Sequence, residues 1–258
     1  MGKTNQKEEL FDSTMSLGDH LEELRMRILL ALAGLAVGVV VSLFFGKWII
    51  AFIQGPYVDA LGKEAHLQTL APTQGFVSYV KIATISGLIL TSPWVFYHLW
   101  MFVAAGLYAH ERRYVRVSVP FSAALFVAGA LFFIFFIAGL SLRFLVAVDR
   151  WLGLQPNWTF PMYVSFITSL MLVFGIAFQT PLAIFLLTKT GLVSIEALKR
   201  SRKYVVLVIV IVAAMATPPD VYSQIALAIP LYLLYELGIL LSYLAGRKKL
   251  RQSSVVDS

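Results

Sequence analysis

The chain has 258 residues, of which 59% are hydrophobic and 14% charged, and a formal net charge of +7. Soluble domains carry roughly a quarter charged residues, so this balance excludes an ordinary soluble protein and requires a chain that is mostly lipid-solvated. Cysteine is absent, which also excludes a disulfide framework and a thiolate metal site.

In chain order, residues 1–15 are polar and read as a flexible cytoplasmic amino terminus. Six acidic residues lie within the first 27, and no small-residue cleavage site follows the apolar run, so the segment does not read as a cleavable signal peptide. Ser16 with Asp19 can cap an amphipathic helix in which Leu21, Leu24 and Ile28 line an apolar stripe into the first span. Uncharged runs then cover residues 28–46, 82–110, 117–142, 151–188, 204–219 and 221–235. The first four meet the roughly 20 residues that a spanning helix needs. The last two, at about 1.5 Å per residue, reach only about 24 Å and predict short helices in a locally thinned bilayer.

Gly34 and Gly38 form a small-xxx-small face suited to close helix contact. Pro56 opens an external loop over 56–72, and the aromatic segment 151–161 forms the other. Pro93 predicts a kink in the second run, with the chain after it bending along the cytoplasmic face, and Pro181 predicts the same in the fourth. Thr217-Pro218-Pro219-Asp220 separates the last two runs. Two missing backbone donors and an acid are costly at mid-membrane, which favours a turn on the far side over a single broken helix.

The fold that follows is an all-α membrane protein with one domain over 16–249, six transmembrane helices, the last two short, and a concave kinked bundle, followed by a flexible cytoplasmic tail over 250–258. With six spans, sixteen Lys and Arg fall on the side of the termini and five on the other. The positive-inside rule then places both termini and the loop containing Glu111 in the cytoplasm. The positive charge matches anionic membrane lipids, and nucleic-acid binding is not implied.

Catalytic signatures are missing: there is no phosphate-binding glycine loop and no G-x-S-x-G elbow. His110-Glu111 begins like a zinc-protease motif, but Tyr114 stands where the second histidine belongs. The reading is of a non-enzyme without metal or cofactor. Two acids at membrane depth, Glu236 and Asp220, leave a second reading open, a proton-coupled small-solute transporter.

Three segments remain. His20-Leu21-Glu22-Glu23-Leu24-Arg25-Met26-Arg27 has a simple reading as a helix carrying a Glu23–Arg27 i,i+4 pair, worth about 0.3–0.5 kcal/mol. Leu107-Tyr108-Ala109-His110-Glu111-Arg112-Arg113 reads equally as a plain cytoplasmic loop. Together with Thr217-Pro218-Pro219-Asp220-Val221-Tyr222-Ser223-Gln224, however, they resemble the TatC family, the polytopic core of the twin-arginine protein translocase.

That resemblance implies a receptor and scaffold in the plasma membrane of a prokaryote. It would bind Arg-Arg signal peptides of folded cargo, recruit single-span partners of the TatA and TatB type, assemble as a homo-oligomer within a larger complex, and use the proton-motive force. It implies that Glu23 and Glu111 bind the arginine pair, with Arg25 and Phe102 beside them. A carboxylate suits a guanidinium fork better than a lysine point charge. The same resemblance places Gln179 in the membrane cavity, where many relatives carry glutamate. It also implies a partner-docking region at Thr217, Asp220 and Gln224, and shaping roles for Pro56 and Pro93.

Overall fold

The computed structural model describes residues 17–62, 64, 66–105, 112–216 and 221–256. Helix α1 (Leu17–Phe44) is followed by α2 (Gly46–Leu61), α3 (Gln74–Leu90) and α4 (Ser92–Ala105). Next come α5 (Arg112–Phe132), a π-helical segment (Phe133–Ala138) and α6 (Gly139–Trp151). The chain ends with α7 (Phe160–Ala177), α8 (Thr180–Lys189), α9 (Ile195–Ala216) and α10 (Val221–Val256). Among the described residues the secondary structure is helical, apart from one isolated bridge. The expected turns at residues 16, 106–111 and 217–220, and the expected tail over residues 1–15, lie outside the described residues.

Four helical stretches are long and apolar enough to cross a membrane: Leu21–Phe44, Ser118–Trp151, Phe160–Lys189 and Gln224–Ala245. The pair α3 and α4, bent by 60°, makes a fifth when counted as one broken span. Its break is local chemistry. Pro93 lacks an N–H and its ring opposes the carbonyl one turn back, so the helix ends at Leu90. Ile89 O, four residues before the missing N–H of Pro93, accepts from Ser92 Oγ at 2.8 Å, and Gly87 O accepts from both Thr91 N at 2.9 Å and Thr91 Oγ1 at 2.7 Å. Pro181 acts in the same way, since α7 stops at Ala177 and the proline sits in the first turn of α8.

Three details differ from the sequence expectation. Pro56 lies inside α2 rather than opening a loop, so the connection to α3 begins only after Leu61. The third span passes through a π-helical turn, Phe-Ile-Phe-Phe-Ile-Ala, that buries Phe133, Ile134, Ile137 and Ala138 together, and it continues to Trp151. The last apolar stretch reaches Ala245, nine residues past Glu236, which interrupts the uncharged run. The acid is carried within the helix because Arg202 neutralises it.

The core lies between α3, the π segment, α6 and α7, where Ile82, Phe133, Leu142, Ile167, Leu170 and Phe174 are buried. Large apolar side chains on the outer faces, such as Leu32, Val37, Phe135 and Ile211, are exposed, which suits a chain dissolved in lipid rather than water. At one end Tyr163 donates to Ile53 O at 2.6 Å and packs edge-on against Tyr57, tying α7 to α2. There the two connections also pair, Phe160 N donating to Gln68 O at 2.7 Å.

The small-residue face of α1 meets α3 and α4. A Cβ added at Gly38 would stand 2.7 Å from Gly87 O, and one at Gly34 would stand 2.2 Å from the Trp94 ring. Helix α9 returns along α10 in antiparallel fashion: Gln224 Nε2 donates to Val210 O at 3.0 Å, while farther along α10 Tyr235 donates to Leu198 O at 2.7 Å. That pairing is a hairpin, as the turn reading of Thr217-Pro218-Pro219-Asp220 requires, although those residues themselves lie outside the described set.

Candidate functional site

At the start of α1, Glu23 is held by a residue one turn later. Arg27 donates from Nη2 at 2.8 Å and from Nε at 3.2 Å, both to Glu23 Oε1. The two side chains remain 20% and 21% exposed, respectively. This is the i,i+4 pair that residue spacing predicts, since residues four apart share a helix face; Arg25, which the resemblance places beside the site, is exposed.

The pair uses only half of the carboxylate. Glu23 Oε2 is buried and has no hydrogen-bond partner among the described residues. Beside it an open pocket of about 340 Å³ is lined by Glu22, Glu23, Met26, Arg27 and Leu30. A buried carboxylate oxygen without a donor costs on the order of 1–3 kcal/mol, a cost that an incoming N–H group removes. The arrangement therefore suits a cationic, multi-donor ligand such as a guanidinium.

Helix α4 backs this corner. Trp94 Nε1 donates to Leu30 O at 2.8 Å, and its ring occupies the space left by Gly34. One turn later on the same face, His98 is 4% exposed, packs edge-on against Trp94 at 4.6 Å and lies within electrostatic reach of Arg27. Trp100 Nε1 donates to Ser122 Oγ at 2.6 Å, fastening α4 to α5, and Phe102 lies half-buried near the end of α4. Glu111, the second expected carboxylate, lies outside the described residues, as do Thr217 and Asp220.

Gln179 sits at the break between α7 and α8, half-buried, and its Nε2 donates to Ser122 O at 2.8 Å. In this chain the amide is thus committed to a helix–helix contact with α5. Gln224 ties α10 to α9 through Val210 O.

Glu236 shows no partner when the sequence is read linearly, but it has two in the fold. Arg202 Nη2 donates to Oε2 and Tyr232 Oη to Oε1, each at 2.8 Å. The hairpin contains the missing signal. Counting back from the middle of the turn as far as Glu236 lies beyond it reaches residues 201–202. Both oxygens of this acid are thus engaged by neighbouring side chains. Among the described residues no group of His, Asp or Glu is arranged to hold a metal ion.

A family model described as Sec-independent protein translocase protein (TatC) matches residues 19–230. The TatC protein of Aquifex aeolicus is 36% identical over 236 residues, spanning 91% of this chain and 98% of its own. The TatCy protein of Bacillus subtilis is 33% identical over 243 residues, 94% of each chain. The crystal structure of the twin arginine translocase receptor TatC superposes with a TM-score of 0.79 at 35% identity, covering 88% of this chain and 99% of that one. With a match across most of its length in sequence and in fold, the chain is a multi-pass membrane protein of the TatC family, a component of Sec-independent protein translocation.

Proposed function

We propose that this protein is the receptor that binds Arg-Arg signal peptides of folded cargo, with Glu23 as the principal anion and Glu111 as its partner carboxylate. The observation that carries the reading is the buried Glu23 Oε2, without a hydrogen-bond partner among the described residues, beside an open pocket at the start of α1. Charge-assisted hydrogen bonds contribute about 1.5–3 kcal/mol each, so two carboxylates account for a large share of the affinity of a short peptide. Arg25 and Phe102 flank the site. A lysine pair makes a weaker ligand because it lacks the planar fork.

The receptor sits in the inner membrane of a prokaryote as six spans with both termini cytoplasmic, α9 and α10 closing the bundle as a hairpin around the Thr217–Asp220 turn. The charge asymmetry of the loops supports this orientation. The hairpin region, with Gln224, serves as the docking region for TatA- and TatB-type single-span partners, and the complex draws on the proton-motive force. Residues 1–15 and 250–258 form the polar ends of a single domain over 16–249.

The test is site-specific cross-linking of an Arg-Arg signal peptide to the full-length protein in membranes. Replacing Glu23 and Glu111 together by alanine abolishes the cross-link while insertion into the membrane continues. Unchanged cross-linking in the inserted double variant overturns the assignment.

A further inference from the structure

The buried side-chain oxygen and nitrogen atoms that lack a hydrogen-bond partner among the described residues are three: Glu23 Oε2 on α1 and both ring nitrogens of His98 on α4. They belong to one corner. Arg27 is bonded to the first residue and within electrostatic reach of the second. The Trp94–Leu30 hydrogen bond fixes α4 on α1, and His98 stands one turn from Trp94 on the same helix face. The edge-on contacts of its ring with Trp94 and Tyr97 hold it in place at 4.6 and 5.2 Å. Packing therefore explains where the ring is, but leaves its two nitrogens unused.

The proposed ligand brings a second guanidinium to a carboxylate that already holds one. Two cations on one half-buried carboxylate repel, and the resident Arg27 must yield or the affinity suffers. A guanidinium carries five N–H donors and no acceptor, and it is costly to leave undonated in a half-buried corner. An imidazole nitrogen with a free lone pair is an acceptor that meets this need.

We propose that His98 is the alternative acceptor for the Arg27 guanidinium, receiving it when a peptide arginine takes Glu23, so that His98 is a positioning residue of the signal-peptide site. The inference rests on the peptide-binding reading given above and adds a mechanism to it: the site holds an internal guanidinium as a place-holder, and His98 sets how easily that group gives way.

The experiment is equilibrium binding of a fluorescent Arg-Arg signal peptide to the purified full-length protein in detergent, with thermal unfolding recorded for each variant. His98→Phe, which keeps the ring packing and removes the acceptor, weakens binding by about ten-fold or more, as expected for one lost hydrogen bond to a charged group. His98→Leu serves as a second apolar variant should the larger ring not be accommodated. His98→Gln, which restores an acceptor, stays within about three-fold of the parent protein. In an Arg27→Met background, where the group that His98 would accept is gone, adding His98→Phe changes binding no further. Equal losses from the apolar substitution with and without Arg27, or failure of glutamine to rescue, each overturns the proposal. Glu23→Gln separates the two levels. If it binds like the parent, the peptide-binding reading itself fails; if it loses binding while His98→Phe does not, only the role of His98 fails.

Discussion

The contact between α1 and α3 makes a signed prediction from one methyl group. Gly38→Ala would place a carbon 2.7 Å from the backbone oxygen of Gly87, where ordinary contact begins at about 3.4 Å. The Thr91 methyl lies nearer still, at 2.5 Å, and can turn aside, but Gly87 O is backbone and cannot, so the two helices must part by roughly 0.7 Å, the difference between those distances. A gap of that size forfeits about a quarter to a half of each contact's attraction along the seam. Overpacking of this kind costs about 1–3 kcal/mol. Gly139→Ala is the matched control. It is also helical, has nothing within 4 Å of the added carbon, and gains the same helix propensity. The propensity terms cancel between the two variants, leaving the packing term. At about 2–4 °C per kcal/mol for a chain of this size, Gly38→Ala should unfold roughly 2–12 °C below Gly139→Ala in detergent. It should also weaken peptide binding, because α4, which backs Glu23, follows α3 through the bend at Thr91. Equal melting temperatures would refute the close-contact account of the small-residue face.

Three further outcomes follow from the polar contacts. Arg202→Met leaves Glu236 without its cation and lowers stability by about 1 kcal/mol, a value kept small because the pair is partly exposed; adding Glu236→Leu should recover it, as read by thermal unfolding. Gln179→Leu removes the donor to Ser122 O at a cost of about 1 kcal/mol, and Gln179→Glu costs at least as much at neutral pH because an ionised carboxylate then faces a carbonyl oxygen. Tyr163→Phe orphans the buried Ile53 carbonyl and loosens α2 from α7, costing about 1–3 kcal/mol in the same assay.

The features legible in the sequence are those with short-range causes. Pro93 and Pro181 mark helix breaks because a missing N–H acts on its own turn. Gly34 and Gly38, one turn apart, mark a contact face because neither carries a Cβ to hold a neighbouring helix off. Residue spacing alone gives the Glu23–Arg27 pair, and the hydropathy of the runs gives the spanning stretches.

The features that escaped depend on another element. Trp94, the partner of Gly34, and Gly87, the partner of Gly38, sit on helices whose register no periodicity reveals. Arg202 finds Glu236 only once the last two helices are folded back on each other. Pro56 reads as a loop breaker, but α2 continues through it to Leu61 and packs Ile53 and Tyr57 into the core on either side of it. His98 draws no attention as a lone histidine until its ring is seen buried against Trp94 with no hydrogen-bond partner for either nitrogen among the described residues. The bond from the Gln179 amide to Ser122 O likewise joins two elements far apart in the chain.

The most direct test of the account is to place a photo-reactive residue at Met26, which lines the pocket beside Glu23, and to map where an Arg-Arg signal peptide attaches. The account predicts an adduct on or next to the arginine pair, lost when the pair is changed to lysines or when Glu23 is changed to glutamine. An arginine pair that attaches elsewhere on the protein, with Met26 unlabelled under conditions where the peptide is bound, contradicts it.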